Sequence, residues 1–200
     1  MNSKTGTIVG MGVLTAIVAI LQALAISIRF GMFNITLVLI PIIVGAALYG
    51  WWAGAWLGFV FGMIVLFTDA GVFLAINTPG TVITVLAKGI LAGVAAGFVF
   101  KALSKKENLI GVLCAGIVAP VVNTGIFLLG CRLFFYDTIK EWAVGAGYQN
   151  AFPYMIFGLV GVNFVVELVI NLVLSTVIVQ IIDIALRSMA PKSVEKKEEA

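Results

Sequence analysis

The sequence predicts an all-α integral membrane protein with six transmembrane helices and both termini in the cytoplasm. Of its 200 residues, 62% are hydrophobic and only 10% are charged, which is more apolar surface than a soluble domain of this size could cover. The apolar residues form long runs separated by short polar segments, and a helix needs ~20 such residues to cross a bilayer. The basic residues are distributed unevenly between the two ends of these runs, which indicates their orientation.

The predicted spans follow the apolar runs in chain order. We place them at about residues 8–28, 35–50, 53–68, 81–103, 109–135 and 153–184, so that residues 1–190 form one membrane domain. The connections at about residues 69–78 and 136–152 are predicted to be loops, and residues 191–200 a charged cytoplasmic tail. The first run is longer than the hydrophobic region of a signal peptide and another span follows at once, so we expect a retained helix.

The orientation follows from the lysines and arginines, because cytoplasmic loops carry an excess of them. Six spans place both termini on one side of the membrane. That side holds Lys4, Lys101, Lys105, Lys106, Arg187, Lys192, Lys196 and Lys197. The other side holds only Arg29, Arg132 and Lys140, and Lys88 lies within the membrane. The sequence therefore predicts cytoplasmic termini.

A polar stripe in the last span is the feature around which we interpret the chain. Asn163, Glu167 and Asn171 are spaced four residues apart in an otherwise apolar run, so they share one helix face. A carboxylate near mid-membrane costs at least ~2.5 kcal/mol and should face protein or water. The stripe either lines a polar cavity or forms hydrogen bonds that hold neighbouring helices together.

Depth along the helices brings further polar residues to the level of this stripe. With the orientation above, Lys88, Asn123 and Asn163 lie in one slab in the outer half of the membrane, and Glu167 lies near it. Lys88 and Glu167 can then pair, which lowers the cost of both charges. The alternative for Lys88 is an extended side chain that reaches the outer surface.

Small residues recur at helical spacing in three spans. Glycines do so in the third and fourth spans, where close helix packing is the favoured role: Gly54, Gly58, Gly62, Gly89, Gly93 and Gly97. In the first span the strip comprises Gly12, Ala16, Ala19 and Ala23. We interpret this strip as a docking face for another helix rather than as part of a pocket, although Gln22 is a polar interior residue. The alternative is that the strip packs on the glycines of spans three and four.

Several classes of protein are disfavoured. The chain has no histidine, which removes His-based triads and the usual zinc ligand. It has no G-x-x-x-x-G-K-[ST] motif for ATP phosphates. Cys114 and Cys131 lie on one predicted helix, roughly 25 Å apart, beyond disulfide reach. We expect neither enzymatic activity, nor a cofactor, nor a nucleic-acid partner.

The chain resembles the substrate-binding S components of energy-coupling factor (ECF) vitamin transporters over nearly its whole length. The stretches that carry the likeness are residues 39–46 leading into 54–58, Lys88-Gly89, and residues 120–127. The resemblance implies capture of a micronutrient from the outer side. It also implies a separate transmembrane coupling subunit and two cytoplasmic ATPases as partners. The family's docking face would fall on Ala19 and Ala23, extended by Thr15 and Ala16.

The ligand stays open among several vitamins, with pantothenate favoured. A compact anion would suit Lys88, Arg132 or Arg29, with Asn123 and Asn163 as hydroxyl and amide partners. Asn77 in the outer loop is a further candidate. Folate, riboflavin or another ring vitamin would need stacking surfaces, which Trp142, Tyr148, Phe134 and Phe135 could supply. Two other functions also remain open: a self-sufficient proton-coupled carrier that uses Glu167, and a structural membrane protein without a ligand.

Overall fold

The chain folds into a bundle of helices. The computed structural model describes residues 3–25, 29–30, 33–34, 37–105 and 107–189. Its elements in chain order are α1 (Ser3–Ala25), β1 (Arg29–Phe30), β2 (Phe33–Asn34), α2 (Leu39–Tyr49), α3 (Trp51–Thr68), α4 (Gly71–Ile76), α5 (Thr78–Leu103), α6 (Asn108–Phe134), α7 (Tyr136–Gly145), α8 (Ala151–Pro153), a π-helical segment (Tyr154–Val160) and α9 (Gly161–Met189). The two short strands pair antiparallel.

Five of the described helical segments are long and apolar enough to cross a membrane. They are Lys4–Ala25, Trp51–Thr68, Thr78–Leu103, Asn108–Phe134 and Ala151–Ser175, and they overlap five of the predicted spans. The remaining predicted span contains α2, which has only 11 residues. At 1.5 Å per residue α2 is about 16 Å long, roughly half of the hydrocarbon thickness. The six-span count and the side of the termini therefore stay predictions.

The short helix α2 lies at the centre of the bundle. It packs against α1, α3, α5, α6 and α9, and most of its residues are buried. Pro41 lies in its first turn, where a missing N–H breaks no helical hydrogen bond. The junction with α3 is Gly50, whose φ of 91° favours glycine. The chain thereby reverses into α3 without a loop.

The glycines of α3 and α5 pack on one another. A Cβ atom on Gly58 would collide with the carbonyl of Gly89, and one on Gly54 would collide with the carbonyl of Gly93. Two backbones can approach this closely only where both helices lack side chains. The glycine pattern thus joins α3 to α5, and it does not receive the small-residue strip of α1.

Both connections that we predicted to be loops contain helices, and those predictions were wrong. Residues 69–78 include α4, whose Phe73 is buried, and residues 136–152 include α7. In α7, Ile139 and Ala143 are buried and lie four residues apart, which is the spacing of one helix face. Phe73 and Trp142 pack edge to face with ring centroids 5.8 Å apart. The two helices therefore form an apolar layer at the end of the bundle where α3 and α6 end.

A candidate small-molecule cavity

A cavity opens between the helices below this layer. Its volume is about 100 Å³. It is lined by Gln22, Phe61, Val65, Asp69, Ala70, Phe73, Thr81, Thr84, Val85, Lys88, Asn123, Thr124, Phe127, Phe135, Val160, Asn163, Phe164 and Glu167. Apolar walls with a few polar groups are typical of small-molecule sites.

Lys88 is held between two aromatic rings. Its Nζ atom lies 5.5 Å from the ring centroid of Phe61 on α3 and 5.5 Å from that of Phe127 on α6. Cation–π contacts of this kind stabilise a poorly hydrated ammonium group. Lys88 therefore points into the cavity between two neighbouring helices, which does not match the alternative of a side chain extended to the outer surface.

Two carboxylates share the cavity with Lys88. Glu167 of α9 and Asp69, which follows α3, both line it. Nε2 of Gln22 donates a hydrogen bond of 2.6 Å to Oδ2 of Asp69, and Oγ1 of Thr68 donates one of 3.3 Å to the same atom. Among the described lining residues, Lys88 is the single cation opposite two acidic groups.

Several polar oxygens at the cavity have no hydrogen-bond partner. They are Oε1 of Gln22, Oγ1 of Thr84 and Oδ1 of Asn163. A buried polar atom without a partner costs about 1–3 kcal/mol, and native proteins contain few of them. The Thr84 side chain packs against Gly130 of α6, so its hydroxyl lies at the contact between α5 and α6. Gln22 and Asn163 remain as acceptors that a ligand or a water could satisfy.

The polar stripe of α9 divides between the two roles that the sequence left open. Asn163 and Glu167 line the cavity. Asn171 lies one turn further along, where it faces Gly116 of α6, and its Nδ2 atom donates to the backbone carbonyl of Glu167 at 2.8 Å. Asn163 and Glu167 therefore form part of the cavity wall, and Asn171 lies at the contact between α9 and α6.

The structure separates the predicted substrate-binding residues into two groups. Lys88, Asn123, Asn163 and Glu167 come together at the cavity. Arg132 is exposed and stacks on Tyr136 at 3.8 Å, while Oδ1 of Asn77 caps α5 by accepting from the N–H of Gly80 at 2.9 Å.

Two predicted aromatic residues lie one layer outside the cavity. Trp142 packs behind Phe73, and Tyr148 packs on Tyr154 with ring centroids 5.4 Å apart. Phe135, which the sequence also suggested as a stacking surface, lines the cavity. The side chain of Arg29 lies outside the described part of the chain.

The sequence analysis missed Gln22, Asp69, Thr81 and Thr84. The prediction that the first span lies apart from the pocket was wrong, because Gln22 of α1 is only 2% exposed and lines the cavity. Its polarity within an apolar span was the available signal. The membrane cost of an unpaired amide could have directed attention to it.

The small-residue strip of α1 lies on a different face from the buried side of the helix. Gly12, Ala16 and Ala23 are exposed, and Ala19 is half-buried. A Cβ on Gly12 would meet nothing within 4 Å. In the described part of the chain, most of this strip is therefore exposed, although α1 itself packs against α3.

Apolar helices of membrane length surround a cavity with one cation among the described lining residues and with unsatisfied acceptors, which is the arrangement expected of a membrane protein that binds a small polar molecule. The sequence profile described as "ECF transporter, substrate-specific component" matches residues 6–179. The chain belongs to this family, which confirms the resemblance found in the sequence. It is a multi-pass protein of the cell membrane and a component of a vitamin transporter, and its family is not one of enzymes.

Sequence comparison also finds a relative whose substrate is known. The chain is 30% identical over 159 residues to the pantothenic acid transporter PanT of Lactococcus lactis subsp. cremoris. The match covers 72% of this chain and 75% of the relative. No solved structure matches the chain.

Proposed function

We propose that this chain is the substrate-capture subunit of an ATP-driven ECF importer and that its ligand is pantothenate. The ligand would enter the cavity from the outer side of the membrane. The observation that carries the proposal is Lys88, the single cation among the described lining residues, held between Phe61 and Phe127. A carboxylate placed against this ammonium would gain a charge-assisted hydrogen bond.

The acidic groups of the cavity narrow the choice of anion. An anion without hydrogen-bond donors could not form hydrogen bonds with the carboxylates of Asp69 and Glu167. Pantothenate carries one carboxylate together with an amide N–H and two hydroxyl groups. Its anionic end suits Lys88, and its donors suit the acidic groups and the orphan oxygens of Gln22 and Asn163. The similarity to the pantothenic acid transporter from Lactococcus supports the same ligand.

A ring-containing vitamin is the second candidate. Five phenylalanines line the cavity: Phe61, Phe73, Phe127, Phe135 and Phe164. Such rings offer stacking surfaces for a flat ligand. Folate, which carries two carboxylates, would find one cation and two carboxylates here. Riboflavin is uncharged in its ring system and would leave Lys88 without an anion.

The same proposal assigns partners. The strip Ala16, Ala19 and Ala23, in which Ala16 and Ala23 are exposed, would dock a transmembrane coupling subunit, because small side chains let helices approach closely. Two cytoplasmic ATPases would supply the energy through that subunit. Members of this family work with such a module, and residues 191–200, which lie outside the described residues, would form a cytoplasmic tail.

Ligand binding to the purified chain tests the proposal. Isothermal titration calorimetry in detergent would compare pantothenate with panthenol, in which the carboxylate is replaced by an alcohol, and with riboflavin and folate. We expect pantothenate to bind most tightly and panthenol at least tenfold more weakly, because panthenol loses the charge-assisted bond to Lys88. Tighter binding of riboflavin or folate would replace pantothenate with a ring vitamin. Equal affinity for pantothenate and panthenol would remove Lys88 as the anion site.

A further inference from the structure

Gln22 has the properties of a ligand-reading side chain. It is 2% exposed, it lines the cavity, and its Oε1 atom has no hydrogen-bond partner. Its Nε2 atom is engaged by Oδ2 of Asp69 at 2.6 Å. Because an ionised carboxylate only accepts hydrogen bonds, this contact fixes the N–H₂ side of the amide toward Asp69. The carbonyl oxygen is consequently the atom left over, and it can only accept.

Asp69, which contacts Gln22, and Phe61, whose ring faces Lys88, are about two turns apart along α3. Asp69 directly follows the last residue of α3, whereas Phe61, whose ring faces the Lys88 ammonium, lies eight residues earlier in the same helix. Eight residues correspond to about 12 Å of helix rise. Extended pantothenate spans about 9 Å from its carboxyl carbon to its terminal hydroxyl, at about 3.5 Å per three bonds. The hydrogen bonds at the two ends of the ligand, about 3 Å each, can close the remaining distance.

We propose that Gln22, oriented by Asp69, is a specificity-determining residue that accepts a hydrogen bond from the hydroxyl end of the ligand while Lys88 binds the carboxylate end. This assignment rests on the proposed function and extends it to the orientation of the bound molecule. It makes Asp69 a positioning residue, since Asp69 decides which atom of the amide faces the ligand. The ligand would then be recognised at both ends: Lys88 would bind its carboxylate, and Gln22 would accept a hydrogen bond from its hydroxyl end.

Two variants and one ligand analogue test this orientation. Gln22→Met keeps the length of the side chain and removes its amide. Asn171→Leu is the matched control, because Oδ1 of Asn171 is also buried and without a partner but lies outside the cavity. The analogue is the N-acyl-β-alanine with the pantothenate carbon skeleton and no hydroxyl groups. Calorimetry gives the affinities, and thermal unfolding in detergent shows whether each variant is folded.

We expect Gln22→Met to weaken pantothenate binding by about two- to twelvefold, the range of one neutral hydrogen bond. It should leave the affinity for the hydroxyl-free analogue unchanged and keep the preference for pantothenate over panthenol. Asn171→Leu should change none of the three affinities. The assignment of Gln22 is refuted if Gln22→Met weakens the binding of pantothenate and of the analogue by the same factor. It is also refuted if Gln22→Met weakens the binding of neither ligand.

Titrations of the unmodified chain can test the assignment of Gln22 even if Gln22→Met does not fold. Equal affinity of the unmodified chain for pantothenate and the hydroxyl-free analogue would overturn the assignment of Gln22 while leaving the proposed function intact. Failure of the unmodified chain to bind pantothenate at all would instead overturn the proposed function, and this orientation with it. The two failures are therefore distinguishable in one set of titrations.

Discussion

Replacing Lys88 by methionine removes the cavity's cation and keeps most of its volume. In the unmodified chain the ammonium lies 5.5 Å from two ring centroids, and Lys88 shares the cavity with Glu167 and Asp69. Truncating one partner of a buried, hydrogen-bonded charge pair costs about 2–5 kcal/mol of binding free energy. Since each 1.4 kcal/mol is tenfold in affinity, Lys88→Met should weaken pantothenate binding by about 30-fold or more.

The assay compares two ligands with two proteins. Pantothenate and panthenol differ at the carboxylate, so their affinity ratio measures recognition of the anionic end. The unmodified chain should prefer pantothenate, and Lys88→Met should bind both ligands with similar affinity. Lys101→Met is the control, because Lys101 lies in the last turn of the same helix and is exposed. It should leave both affinities unchanged.

One result would refute the reasoning about Lys88. If folded Lys88→Met keeps the preference for pantothenate over panthenol, the carboxylate does not bind at Lys88. The anion partner would then have to be sought at the other basic residues that the sequence suggested, Arg132 or Arg29. If Lys88→Met weakens the binding of pantothenate and panthenol by the same factor, Lys88 supports the shape of the cavity and does not recognise the carboxylate.

Three further predictions concern packing, docking and topology. Gly58→Leu should destabilise the protein by about 1–3 kcal/mol or more, because the new side chain meets the α5 backbone, and a lower unfolding temperature would show it. Gly12→Leu places its side chain in open space and should not destabilise the protein. Equal effects of the two substitutions would contradict the packing argument. Ala19→Trp should keep pantothenate binding but abolish co-purification with the coupling module, whereas Val13→Trp, exposed beside the strip, should keep both; assembly of a folded Ala19→Trp protein would refute docking there. A cysteine placed beyond Lys192 should escape an impermeant thiol reagent in intact cells, and labelling would invert the predicted topology.

The sequence was sufficient to predict the long helices, because apolar runs of membrane length have few other structures available to them. It was not sufficient for α2, whose 11 residues are too short to cross the hydrocarbon layer alone. Apolar composition does not distinguish a helix that crosses lipid from one that other helices surround. The residues that bury α2 come from five helices distributed along the whole chain.

The core of the candidate cavity could be predicted for an energetic reason. Charged and amide side chains within apolar spans are costly in lipid, so Lys88, Asn123, Asn163 and Glu167 had to face the interior. Counting residues from the helix ends gave their common depth, and the structure brings them to one cavity. Arg132 and Asn77 lie near helix ends, where water or the backbone can satisfy a polar group. Depth alone could not assign them, and they stack on Tyr136 and cap α5 respectively.

Gln22 marks the limit of this kind of prediction. A lone glutamine in a helix with a strip of small residues favours an interpretation based on the strip, because the periodic pattern is the stronger local signal. The meaning of Gln22 depends on Asp69, 47 residues away in sequence, and on which atom of the amide that carboxylate leaves unpaired. This contact forms only when the C-terminal ends of α1 and α3 pack together in the folded protein. Gln22 and the half-buried Ala19 lie on the same helix, less than one turn apart. We propose that the first contacts the ligand and that the second docks the partner, so variants of the two positions should separate binding from assembly.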